Sequence, residues 1–283
     1  MKPTPASFAV IAASALLAAS GVQAAGQAPT RATVAYWDAR HPAAFSTIRD
    51  VSGNVLPSLL AAAEGGDVEA MNLLGVLYVL GVQVPSDYSK AFHWFQQAID
   101  GGSASAMHNL AQMYLYGVGV PRDFANAFHW FQRSAAYGSV HSMYNAAVMA
   151  ENGLGTSRDL RLSRSMYQDA AASGFAPAML RVSDDLARTG NAKRDLVEAY
   201  AWLQIASQSE LPAEARIVVL AKMQDLGSRL GPDRRNDARA RAAQIAGSIK
   251  ERARSFAPAV REFIPVSPQT GRTLVMRSTE VQA

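Results

Sequence analysis

No cysteine occurs anywhere in the 283 residues. That excludes a disulfide framework, a thiolate nucleophile, a cysteine-ligated zinc and the acylated cysteine that anchors a bacterial lipoprotein, so the fold rests on packing alone. Catalytic signatures are missing as well. The chain has no His-Glu-x-x-His metalloprotease helix, no Gly-x-Ser-x-Gly nucleophile elbow, no phosphate-cradling glycine loop and no Ser-x-x-Lys of the penicillin-recognising enzymes. Long apolar runs are scarce too. The one from Phe8 to Ala19 is shorter than the roughly 20 residues a membrane span needs, and it sits between Met1-Lys2 and the small residues Gly21-Val22-Gln23-Ala24. A basic start, a short apolar stretch and small residues before a cut after Ala24 predict a cleaved signal peptide over 1–24. The expectation is an exported protein, periplasmic with secretion as the alternative, with no membrane span and no lipid anchor.

Positive charge is unevenly spread, which weakens one class of partner. The net charge is +4 and the isoelectric point about 9.4. Residues 63–209 nevertheless carry 10 Lys and Arg against 13 Asp and Glu, and residues 210–283 carry 13 against 8. A nucleic-acid surface interleaves aromatics with a basic stripe. Here the aromatics lie in the acidic stretch and the arginines elsewhere, so no nucleic-acid partner is expected.

A repeat is what the chain has in quantity. Tyr114 to Asp123 followed by Ala127, Phe128, His129, Trp130 and Phe131 is matched thirty-six residues earlier by Tyr78, Gly81, Pro85, Asp87, Ala91, Phe92, His93, Trp94 and Phe95, and thirty-six later by Gly153, Gly155, Asp159 and Tyr167. Each unit reads as two helices. The first carries an invariably small position, Gly75, Ala111, Ala147 or Ser183, where two helix backbones approach. In the second, Ala91, Trp94 and Phe95 and their counterparts form one apolar stripe. Asp87, Asp123, Asp159 and Asp195 stand before it as helix N-caps, the last with Glu198 as a capping box. Gly102, Gly138 and Gly174 close the units in a left-handed conformation. Gly117-Val118-Gly119 follows a helix rather than a strand and is a turn, not a dinucleotide fingerprint.

Around this array the expected layout is an irregular lead-in at 25–54 and a partial leading repeat from Leu56, its stripe Leu56, Leu59, Leu60 and Ala63. The array spans 55–209, with four 36-residue units. Two capping helices at 210–255 turn at Gly231-Pro232, the first with Ile217, Leu220, Ala221, Met223 and Leu226 as its apolar side. The tail at 256–283, with Pro258, Pro265, Pro268 and Gly271, is expected to lack structure.

The pattern from Ala70 to Ala98, with Leu74-Gly75, Tyr78, Gly81, Val84-Pro85, Asp87, Lys90-Ala91, Trp94-Phe95 and Ala98, resembles the Sel-one-like repeat, a close relative of the tetratricopeptide repeat. Unit four departs from it, with Thr189 and Gly190 in its loop and Pro177 in its first helix. The resemblance implies an all-α, right-handed superhelical solenoid of helix-turn-helix repeats whose first helices line a concave groove. By register, that groove is lined by Asn72; by His108, Gln112 and Tyr116; by Tyr144, Glu151 and Asn152; and by Asp184 and Arg188. Val76, Val79, Leu115, Val148, Leu180 and Ala187 share the register. Amides to hold an extended backbone and tyrosines as anchors suit a peptide. His108 and His141 lack an obvious third ligand, so no metal and no cofactor are expected.

The function expected from this is a non-enzymatic interaction scaffold that binds a peptide or protein segment in the groove. The resemblance implies roles around an envelope sensor, exopolysaccharide machinery or host contact. The alternative is a cell-wall or β-lactam hydrolase-like activity, which the resemblance allows and the missing Ser-x-x-Lys opposes. A third reading is a spacer within a larger envelope complex.

Overall fold

A computed structural model describes residues 56–81, 83–189, 193–209, 211 and 213–256. The expected signal peptide, lead-in and tail beyond Phe256 lie outside the described residues, as does the fourth unit's loop at 190–192. The described residues form ten α-helices and no strand. They fall into two compact units that meet in sequence between Ser139 and Val140.

The first unit holds α1 (Leu56–Glu64), α2 (Val68–Leu80), α3 (Tyr88–Asp100), α4 (Ala104–Tyr116) and α5 (Phe124–Ala136). The starts of α2 to α5 are each defined by a side chain that satisfies an orphan backbone N–H. Asp67 accepts from Ala70 N at 2.9 Å, Asp87 from Lys90 N at 3.0 Å, Ser103 from Ala106 N at 3.1 Å, and Asp123 from both Ala125 N and Asn126 N. The capping aspartates also clasp the loop they end. Asp87 N donates to Tyr78 O at 3.0 Å and Asp123 N to Tyr114 O at 2.9 Å. At the core, Phe95 and Phe131 are fully enclosed, and the Phe95 ring lies against Gly75 where the two helices of the hairpin meet. The tryptophans expected beside them, Trp94 and Trp130, are only half-buried. Each stands edge-on to an exposed histidine, His93 at 5.8 Å and His129 at 5.5 Å between ring centroids.

The second unit holds α6 (Val140–Asn152), α7 (Leu160–Ala172), α8 (Ala176–Thr189), α9 (Lys193–Ser207) and α10 (Ala213–Phe256). The same clasp recurs, with Asp159 N on Ala150 O at 2.9 Å. Asp195, however, is not an N-cap: α9 begins at Lys193, so Asp195 lies in its first turn. Glu198 instead receives two hydrogen bonds from Arg241 of α10, at 2.6 and 3.0 Å.

α10 is two helices broken at Gly231, whose φ of 73° and ψ of 172° are non-helical, with Pro232 opening the second half. Its expected apolar side is only partly right. Val219, Leu226 and Leu230 are buried, whereas Ile217 is 68% and Leu220 54% exposed. Ala199 and Leu203 of α9 form a cluster with Val219 and Leu226, so the helix is rotated to turn Val219 inward, and Ile217 and Leu220 cannot share that face. In the second half Ala238, Ala242 and Ile245 are buried, as the spacing predicts.

Candidate functional site

The two units treat their first-helix positions differently. In the first, the residues assigned to a groove are inside. Asn72 is 3% exposed, His108 1% and Gln112 not at all. Every residue of α4 from Ala106 to Met113 is buried, so this stretch has no solvent face, and Val76 and Val79 of α2 are enclosed with it. Polar groups held this deep must pair. Asn109 Nδ2 donates to Asn72 Oδ1 at 2.9 Å, Gln112 Nε2 lies 2.7 Å from the His108 ring, and that ring stands edge-on to Phe131 at 5.3 Å. These amides tie α2 to α4 and α4 to itself, which corrects their assignment as open groove residues. Asn109 Oδ1 and Gln112 Oε1 find no partner among the described residues, a cost of roughly 1–3 kcal/mol each. Tyr116 is half-buried and packs on the same core, and Leu115 is half-buried.

In the second unit, Tyr144, Glu151, Asn152, Asp184 and Arg188 keep part or all of their side chains in solvent. Asp184 pairs with Lys222 of α10. Arg188 reaches Asp185 at 3.0 Å, and Asp185 also holds Arg164 of α7 at 2.9 Å. Asn152 is exposed and donates to Val148 O of its own helix at 2.7 Å.

Tyr144 and Glu151 belong to a continuous cluster. The Tyr144 ring lies 5.4 Å from Tyr167 and 5.4 Å from Phe175, and His141 stands edge-on to Phe175 at 4.9 Å. The Tyr167 hydroxyl donates to Glu151 Oε2 at 2.9 Å. Arg181 of α8 pairs with that same oxygen and lies over the Tyr167 ring, 5.1 Å from its centroid. Burial pushes the Tyr167 phenol far above its ordinary range, with the Glu151 carboxylate adding to the rise. Burial works against the Arg181 charge, but Tyr167 and Glu151 outweigh it and hold the guanidinium above its usual value.

Sequence reasoning missed Tyr167, Phe175 and Arg181 as site residues. The signal was present in the register. Tyr167 stands where Phe95 and Phe131 do, Phe175 where Ser103 and Ser139 do, and Arg181 where Leu73, Asn109 and Asn145 do. The departures meet only because α7 packs against both α6 and α8.

Among the described residues no three His, Asp or Glu side chains converge as metal ligands, and no helix is long and apolar enough to cross a membrane.

A family model described as Sel1 repeat matches residues 68–103, 104–139, 140–175 and 176–210, together just over half of the chain. A protective antigen of uropathogenic Escherichia coli strains, displaying an SLR fold, is 19% identical with a TM-score of 0.58. The match covers 83% of this chain but only 52% of that one, so this chain spans about half its length. A Sel1 repeat protein from Oxalobacter formigenes is 32% identical over 46% of this chain and 97% of its own, with a TM-score of 0.43. Helicobacter pylori cysteine rich protein B is 19% identical over 44% and 96%, with a TM-score of 0.37. No curated protein matches the chain. The repeats, helices and matches describe an all-α helical repeat solenoid of a kind associated with protein–protein interaction.

Proposed function

The chain belongs to the Sel1 repeat family, and on that premise we propose that it is a non-enzymatic, exported adaptor that docks a peptide or protein segment on the first-helix face of its second unit. The observation that carries this is the state of that face. Tyr144, Glu151, Asp184 and Arg188 reach solvent there, and the three charged groups are already paired with a neighbour. A binding surface whose side chains are held before the partner arrives loses less freedom on association. Tyrosine and arginine are also the residues that most often anchor interfaces. Export is supported by the signal-peptide pattern of residues 1–24. Service to an envelope sensor or to exopolysaccharide machinery is a finer proposal that rests on kinship with the family.

A photo-crosslinking residue placed in intact cells at Asp184, and in a control at exposed Ser89 of the first unit, tests the docking. The expected result is one discrete adduct from position 184, absent from position 89 and lost when Tyr144→Ala is added. Equal adducts from both positions, or capture indifferent to Tyr144, would sink the assignment.

A further inference from the structure

Four units built on one register provide their own control. Where they agree, the residue serves the hairpin; the third unit and the start of the fourth depart at Glu151, Tyr167, Phe175 and Arg181, and those four side chains lie in one chain of contacts through Tyr144. Each of three departures gives up something the other units use, although Tyr167 and Phe175 still pack in the core. Phe175 occupies a place where Ser103 caps a helix, and losing such a cap costs about 1 kcal/mol. Glu151 replaces Val79 and Leu115 of the other units, and a partly buried ion pair is often matched or exceeded in stability by apolar residues of similar volume. Tyr167 adds a hydroxyl to a core ring, which then needs a partner.

Arg181 is the member with capacity left. A guanidinium carries five N–H donors in a planar fork. Its Nη2 meets Glu151 and one face covers Tyr167; the guanidinium makes no other hydrogen bond to the described residues. Its side chain is 18% exposed, enough to be reached. Beside it runs the strip of half-buried rings Tyr144 and Phe175. The nearby carboxylates Asp184 and Asp185 are neutralised by Lys222, Arg164 and Arg188.

Resting on the docking reading above, the geometry points to an acidic side chain, with ring-bearing residues two positions away on either side in an extended peptide, as the group this face recognises. Its carboxylate takes the open edge of the Arg181 fork, and the rings two residues to either side, which share its face of the strand, lie on Tyr144 and Phe175. Glu151 is then a resident competitor for the same guanidinium and keeps the binding weak and reversible.

The test uses the full chain and two blocked pentapeptides, acetyl-Phe-Ala-Glu-Ala-Phe-amide and the isosteric acetyl-Phe-Ala-Gln-Ala-Phe-amide, with binding followed through the tyrosine-ring and arginine side-chain resonances. The charged probe is expected to bind about tenfold more tightly, the worth of one charge-assisted contact. Arg181→Gln abolishes that difference. Glu151→Gln, which keeps the side-chain volume and removes the competing charge, widens it. Equal binding of the two probes, no binding of either, or a difference that survives Arg181→Gln overturns the inference. So does a Glu151→Gln variant that binds the charged probe less well. If Arg181→Gln does not fold, the Glu151→Gln result decides alone. Crosslinking at position 184 that persists while the probes fail to discriminate rejects this inference and leaves the docking reading standing; loss of the crosslink rejects the reading itself.

Discussion

Tyr167 differs from Phe95 and Phe131 at the same register by one oxygen, and that oxygen changes what its neighbours can be. A buried phenol needs an acceptor, Glu151 provides it at 2.9 Å, and Glu151 in turn holds Arg181. The phenol's pKa is raised first by burial and then by Tyr144 and that carboxylate, which together outweigh the lowering by Arg181. Its contribution to stability is therefore fully present below the ordinary tyrosine value of about 10. As pH rises past about 10, the unfolded chain releases this proton while the folded chain keeps it, so stability falls progressively. Tyrosinate absorbance is expected to show the same number of phenols titrating in the native protein and in Tyr167→Phe until both unfold. One fewer titrating near pH 10 in the variant would show that Tyr167 is open to solvent.

The hairpin is where local sequence rules succeed best, because its small positions, caps and core ring are fixed mainly by partners within it. The small position in each first helix, the capping aspartate and the fully enclosed phenylalanine were all legible from spacing, and the structure gives the reason. A Cβ on Gly75 would stand 2.5 Å from Phe95 Cδ1. Gly75→Ala should gain about 1 kcal/mol of helix propensity and lose about 1–3 kcal/mol to overpacking. The net expectation is a lower denaturant midpoint with an unchanged slope, and a stabilised variant would mean that α2 and α3 can part to admit a methyl group. Rules failed at elements whose neighbours lie outside the repeat. α9 starts at Lys193 and leaves Asp195 inside the helix, and α10 buries Val219 rather than Ile217 because α9 sets its rotation.

Across the whole molecule, the division into two compact units and the repeat architecture imply that damage stays local, since repeat arrays couple mainly to nearest neighbours. Phe131→Ala removes a fully buried ring of the first unit, worth about 3–5 kcal/mol. Amide hydrogen exchange should quicken in α4 and α5 and remain slow in α9. Equal loss of protection in α9 would mean that the units unfold as one. The candidate site follows the same division: of nine groove residues chosen by register, Asn72, His108 and Gln112 are sealed in the first unit, while Glu151, Asn152, Asp184 and Arg188 reach solvent in the second.

By itself the sequence determined the period of the array, its helices, the capping aspartates of its first three units and the phenylalanine core. Each of these follows from contacts within one hairpin or from backbone groups a few residues apart. Only the tertiary structure decided which polar positions are open and which departures from the repeat meet. Burial of Gln112 and the convergence of Glu151, Tyr167 and Arg181 depend on side chains contributed by other helices. Spacing along one helix fixes the direction of a residue but not what stands opposite it.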